Sequence, residues 1–482
     1  MSRTLLAGAA RRVINPLLGT GKTGLRLFGD PIQAIESDLT ATAVVLGNGD
    51  TKVVMLAVDL CAMSTEEAGE MRAGVAKALG IPIPCVLLNM SHNHSSPALP
   101  AFMSMCGSPE ETALWERYQL DLARWLVEAA TEADGRSQPA RIGTGWGESF
   151  IGVYRREFRD GHDVLGEVPG HPIDSSVGVI RVDDLEGHPI AILFRYSCHP
   201  VTVGGRSMVA SADFPGPARD VLERCLGGLA VFLQGCGGNI NPAVGIGYEI
   251  DCRDTKQRVG TSLGGEALMV AAGIRTNLRP GARKPLGNVP NILFTPWEPV
   301  TGDTCTYLGA VEEKVPLEFS ELPSPAQAEE IHAQWRETLA ERRRRNAQDW
   351  EIRVAMKYEH WSRILIEAVK HGHPTWDLRI QAVRVNDIVI AGMNVETFFE
   401  TGLEIKARSP IEDTFVLGYT NGHIGYLPRA EDYPVGGWKL DGSYAVPDML
   451  PQACRLPVIQ RPDSADRAIE ATLELIERLR AS

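Results

Sequence analysis

Val86-Leu87-Leu88-Asn89-Met90-Ser91-His92-Asn93-His94-Ser95-Ser96-Pro97 holds an apolar run that halts at two histidines one residue apart. The run suits a buried strand, and the small polar residues and proline after it end regular pairing. In extended backbone alternate side chains point the same way, so His92 and His94 are expected to share a face. Histidine is the commonest metal ligand and the side chain that titrates nearest neutral pH. A histidine pair at the end of a buried strand marks a candidate active site.

Four further segments have the same design. Ile192-Leu193-Phe194-Arg195-Tyr196-Ser197-Cys198-His199-Pro200 ends a second apolar run at a histidine. Val231-Phe232-Leu233-Gln234 leads into Gly235-Cys236-Gly237-Gly238-Asn239-Ile240-Asn241-Pro242, whose glycines permit close approach of backbone to a ligand. Val389-Ile390-Ala391-Gly392-Met393-Asn394-Val395-Glu396 places a carboxylate at a strand-to-helix junction. Leu417-Gly418-Tyr419-Thr420-Asn421-Gly422-His423-Ile424-Gly425-Tyr426 is the fifth. Each alone reads equally well as a tight loop, a helix-end carboxylate or a half-buried aromatic. Five together fit the rule that open α/β folds place their sites at strand ends.

The surrounding pattern alternates strands and helices, which predicts an α/β fold. Strands are expected at Val44–Leu46 and Lys52–Asp59 and again at Val177–Val182 and Ile190–Tyr196. Leu229–Leu233, Leu378–Val385, Ile388–Ala391 and Phe415–Tyr419 read the same way. Ser64 is placed to cap a helix that Gly80 stops near Leu79. Further helices are expected at Glu110–Ala133, at Gly216–Cys225, near Glu396 and at Ser464–Leu479. Residues 324–369 are rich in Ala, Glu, Arg and Gln and read as a helical insertion in a single unit spanning 1–482. The run Arg342–Arg345 reads as a solvated helix face rather than an anion site. Apolar surface on this insertion is a candidate dimer contact.

A chain of 482 residues with net charge −13 has no general basic surface for nucleic acid. No apolar segment approaches the roughly 20 residues that span a bilayer, so no integral membrane association is expected. The opening Met1–Arg12 is too weakly apolar for a secretion signal, and nine scattered cysteines suit reduced thiols. Both point to a cytoplasmic protein. Gly19-Thr20-Gly21-Lys22-Thr23 mimics a phosphate-binding loop, but Pro16 occupies the position of its first glycine. A turn is expected there.

Taken together, the segments resemble the catalytic domain of the neutral/alkaline, non-lysosomal ceramidases. Gly8–Pro16 with Gly19-Thr20 resembles the family's first strand and turn. His92-Asn93-His94-Ser95-Ser96-Pro97 resembles its His-Thr-His-Ser-Gly-Pro, Tyr154-Arg155-Arg156 its Asn-Arg segment, and Cys198-His199-Pro200 its Thr-His-Pro. The stretches around Glu396 and Tyr426 resemble its later glutamate and tyrosine motifs. The resemblance implies a mixed-sheet ceramidase-like fold and a zinc ion held by His92, His199, Glu396 and Tyr426. It implies attack on a linear, N-acyl-type amide by zinc-bound water, whose pKa zinc lowers to about 7. His94 would then relay a proton to the leaving amine, and Arg155 would steady the developing oxyanion. Asp59 and Asp213 are candidates to orient the histidines, with purely structural roles equally open.

Three departures separate this chain from that family. Its Gly-Asp-x-Ser-Pro loop becomes Gly238-Asn239-Ile240-Asn241-Pro242, so the serine position holds Asn241, which is no nucleophile but can hold a substrate oxygen. Tyr154 replaces an asparagine. The chain ends soon after Tyr426, without room for the family's C-terminal β-sandwich. A small-molecule amide is therefore expected as substrate in preference to a membrane lipid. An ester, lactone or carbamate fits the same ligands, as does a non-catalytic metal-binding sensor, and a homo-oligomer is open.

Overall fold

Three strand–helix–strand units with parallel strands organise the molecule. The computed structural model describes residues 4–23, 31–103, 107–159, 162–204, 207–244, 252–372, 375–433 and 456–481. Strand Lys52–Val58 pairs in parallel with Val86–Met90 through helix Thr65–Leu79. Pro189–Tyr196 pairs with Leu229–Gln234 through Pro215–Leu226. Ile388–Met393 pairs with Asp413–Leu417 through Phe399–Arg408. Each crossover lets two successive strands deliver their C-terminal ends to the same side of the sheet.

The first two units are the flanks of one eight-stranded mixed sheet. Its order runs Leu229–Gln234, Pro189–Tyr196, Ser176–Asp184, Gln138–Glu148, Leu5–Val13, Thr40–Gly47, Lys52–Val58, Val86–Met90. The third unit belongs to a four-stranded sheet ordered Leu308–Leu317, Trp376–Val385, Ile388–Met393, Asp413–Leu417. The two sheets face one another. Val44, Leu46, Met55, Leu87, Leu193 and Val231 of the first pack with Val383, Val385, Ile390, Phe415 and Leu417 of the second. Alternate residues face outward, as a period of two demands. Val45, Val54, Leu56 and Leu88 meet Val75, Leu122 and Leu126 of helices Thr65–Leu79 and Pro109–Gly135. Ile192, Phe194 and Phe232 meet Ala218, Leu222 and Leu263 of helices Pro215–Leu226 and Arg253–Gly273. On the smaller sheet, Leu378 and Ile380 meet Ile469 and Ile476 of helix Ser464–Ala481. The result is a helix–sheet–sheet–helix stack of the α/β class. Each fully buried Val, Leu, Ile or Phe in these layers contributes roughly 1.5–3 kcal/mol.

Local signals place most elements where the sequence reading expects them. Ser64 and Glu67 form a reciprocal cap at the start of Thr65–Leu79, and Gly80 closes it at φ 65°. One boundary bears on the site. Glu396 is not in a helix: Glu396–Thr397 is a two-residue strand paired in parallel with Tyr426–Leu427, and the helix begins at Phe399. Asn239, from a distant loop, accepts from the Phe399 amide and donates to Glu400. It thereby caps a helix that has no capping side chain of its own.

The insertion is a helical hairpin, Pro325–Arg344 and Asp349–His371, between two strands that pair antiparallel over ten residues. Arg344 and Arg345 pair with Glu337, Glu341 and Glu351 of the hairpin itself, in keeping with a solvated face. Among the described residues no large apolar side chain of the hairpin is exposed. Its apolar stripe is spent on the body, where Trp361 and Leu365 are buried.

The phosphate-loop mimic is a turn with Gly19 at φ 93°. Gly21 and Lys22 bridge to Pro31 and Pro97, and the buried Lys22 ammonium donates to the Ser207 carbonyl. Among the described residues no helix is long and apolar enough to cross a membrane.

Candidate metal centre

The C-terminal ends of the parallel strands meet, and Asn89 ties them. Its side-chain amide donates to the Gly418 carbonyl at 2.8 Å, and its oxygen accepts from the Gln234 amide at 2.8 Å. Asn421 adds a second tie, exchanging hydrogen bonds with the Leu88 backbone. These buried links hold three strand ends in register across two sheets.

Regular extension stops at Met90, and His92 adopts φ 60°. A positive φ is costly for a side chain of this kind and concentrates at functional positions. The simple alternation expected for His92 and His94 is therefore broken. Their rings nevertheless meet edge-on, 4.8 Å between centroids, with Nε2 to Nε2 at 3.2 Å.

His92, His199 and Glu396 converge in the interior. The Nε2 atoms of His92 and His199 lie 3.3 and 3.2 Å from the same oxygen of Glu396, Oε2. All three side chains are at most 4% exposed. On the far side of each ring, His92 Nδ1 lies 2.8 Å from the Cys61 carbonyl and His199 Nδ1 2.7 Å from the Gly237 carbonyl. A carbonyl oxygen can only accept, so both Nδ1 atoms carry the proton. Both Nε2 atoms then turn lone pairs toward a carboxylate oxygen, an arrangement that repels itself unless a cation sits between them. His199 Nε2 accordingly makes no hydrogen bond among the described residues. Two neutral imidazoles fixed by outer acceptors, with one carboxylate, form a group able to hold a metal ion. The residues fit a divalent metal.

Glu396 is itself oriented. His423 Nε2 donates to its other oxygen at 2.8 Å, and the Tyr419 hydroxyl donates to Oε2 at 3.2 Å. Burial alone would raise its pKa, yet donation from His423 favours the ionised form, and the carboxyl lies well below the usual range. Burial pushes the Tyr419 phenol well above its usual value, keeping the proton on that oxygen. Burial, with His199 nearby, brings His94 down to about 3, so its imidazole is neutral at physiological pH.

Tyr426 and Glu396 are partners in the short parallel pair. The Arg155 guanidinium donates to the Tyr426 hydroxyl at 3.0 Å and to the Asn241 oxygen at 3.3 Å. Asn241 lies in Ile240–Pro242, which pairs with the start of the Gly152–Arg159 strand that carries Arg155. The structure thus brings together seven of the candidates named from sequence: His92, His199, Glu396 and Tyr426, with His94, Arg155 and Asn241 beside them.

For Asp59 and Asp213, whose orienting and structural roles were both open, the structural role is the one seen. Asp59 is held by both Arg219 guanidinium nitrogens, at 2.9 and 2.8 Å, and by Thr40. Asp213 binds Thr202 and the Val203 and Phe214 amides. No histidine is a hydrogen-bond partner of either among the described residues; backbone carbonyls orient the imidazoles instead. Three residues went unassigned in the sequence. His423 and Tyr419 stand in the quoted Leu417–Tyr426 stretch, where a histidine in a glycine-rich strand-end loop was the available signal. Cys61 had none: with His92 and His94 it forms a second, overlapping group of donors within 4.8 Å.

Comparison with known proteins covers almost the whole chain. Neutral ceramidase from Pseudomonas aeruginosa superposes over 99% of this chain and 75% of that one, with TM-score 0.65 and 17% identity. The chain has the neutral ceramidase fold. A second solved structure, a ceramidase complexed with C2, aligns over 99% of this chain and 76% of its own, with TM-score 0.68 and 15% identity. Neutral ceramidase B of Dictyostelium discoideum is 24% identical over 169 residues, which span 33% of this chain and only 23% of that relative. No protein-family model matches the chain.

Proposed function

We propose that this protein is a zinc-dependent hydrolase of a linear amide, an N-acyl compound. The observation that carries the reading is the convergence of two proton-free Nε2 atoms, of His92 and His199, on one oxygen of Glu396. His92, His199 and Glu396 would hold the ion, with Tyr426 as fourth ligand. Bound there, zinc supplies Lewis acidity, polarising a carbonyl and lowering the pKa of water to about 7. The rest is done by the chain. Neutral His94 takes a proton from the attacking water and returns it to the leaving amine. Arg155, anchored by Asn241 and Tyr426, offers its charge to the developing oxyanion. Asn241 acts here as a positioning group, since a carboxamide is no nucleophile. Similarity to ceramidases supports the choice of an amide with an acyl chain.

The test is elemental analysis of purified protein alongside turnover on a panel of N-acyl amides, matched esters and lactones. About one zinc per chain and amine release from the amides are expected. Full activity in metal-stripped protein, or alcohol release alone, would overturn the reading.

A further inference from the structure

Six exposed large apolar side chains lie within twelve residues: Leu286, Val289, Ile292, Leu293, Phe294 and Trp297, each 37–50% exposed. They belong to a two-stranded arm. Val300 N donates to the Asn277 carbonyl, closing its base. Leu278–Pro280 then pairs with Trp297–Pro299, and Lys284–Leu286 with Val289–Phe294. Neither ribbon has a third strand among the described residues. A lone hairpin is marginal in water, and unpaired apolar edges invite a partner.

Position and charge select the partner. The arm is tied by Asn277 to the Glu186 carbonyl, at the turn that starts the Pro189–Tyr196 strand. That strand ends three residues before His199. Eight strand residues put the base of the arm roughly 25 Å from the metal centre, at the opposite end of the sheet. A lipid-docking element serving this site would stand at its mouth. The arm also carries Arg279, Arg283 and Lys284 against Glu298, on a chain of net charge −13. A second copy offers an acidic body to these cations, whereas an anionic membrane would repel most of the molecule.

We infer that the arm 277–300 is the contact by which two copies of this chain associate, each arm lying over the other copy with its apolar side chains covered. A twofold arrangement of this kind is self-complementary. Light scattering of the metal-loaded full chain at micromolar concentration should give twice 52.5 kDa. Ile292→Glu combined with Trp297→Glu should give a single chain with unchanged zinc content and turnover. A wild type that stays at 52.5 kDa, or a double variant that keeps the doubled mass, would overturn the inference. Hydrogen exchange on the wild type covers the case of a misfolded variant: arm amides should be protected when concentrated and exchange faster on dilution, and rapid exchange at all concentrations counts against it. Flotation of a monomeric wild type with phosphatidylserine-containing vesicles, lost in the double variant, would give the arm to membranes instead.

Discussion

The two ends of the large sheet are built on opposite terms. At the C-terminal ends of the parallel strands polar groups reach partners far away in sequence: Asn89 with Gly418 and Gln234, Asn421 with Leu88, His92 with Cys61. At the other end a hairpin is tied to the body at its base, and its apolar side chains face outward. The difference shows what each end needs. A cluster of lone pairs and a carboxylate must be over-determined to persist, because any slack lets the groups move apart. A surface waiting for a second chain needs only shape and apolar area.

The sharpest way to break the contrast is to remove a ligand. Glu396→Gln should abolish zinc binding and turnover together, while the fold, measured by circular dichroism, survives. His94→Ala comes next. It should leave zinc bound and slow turnover roughly 100- to 10,000-fold, the usual worth of a proton-transfer group; loss of zinc content would make His94 a ligand instead.

Asp59→Asn probes rigidity near the site without touching it. Its carboxylate is 2% exposed beside Arg219, and breaking such a pair costs about 3–5 kcal/mol. Denaturant unfolding should register that loss, and the zinc content of the folded protein should not change. If zinc is lost in step with stability, Asp59 does orient the histidines.

Glu400 gives a smaller, pH-dependent effect. Burial raises its pKa from 4.5 to about 7, despite the Asn239 hydrogen bond. A carboxyl raised in the fold favours the protonated native state, so its contribution is complete below about 4.5 and fades as pH climbs through about 7. Glu400→Gln should gain on the wild type across that window, by at most roughly 3 kcal/mol. Parallel stability curves for the two proteins would show that Glu400 ionises normally.

The same contrast governs what could be read from sequence. Apolar runs ending at His92, His199 and Glu396 were legible because a buried strand and a polar stop are both local signals. The Asn241 and Arg155 pairing was legible only as two separate motifs. The groups that orient the imidazoles were not, since the carbonyls of Cys61 and Gly237 have no residue-type signature. Aspartates attracted that role, because side chains are what a sequence displays. Glu396 was drawn into the following helix because a parallel pair of two residues is too short to show a period. The arm was silent for a related reason: strands of three to six residues broken by proline and glycine carry neither a period of two nor one of 3.6.

The central claim is that His92, His199 and Glu396 form one metal site. Equilibrium zinc titration of metal-stripped protein, followed by elemental analysis, tests it most directly. Wild type should take up close to one zinc per chain, and His92→Ala, His199→Ala and Glu396→Gln should each lose that uptake while remaining folded. Undiminished zinc binding in any of the three, or a wild type that binds none, would contradict it.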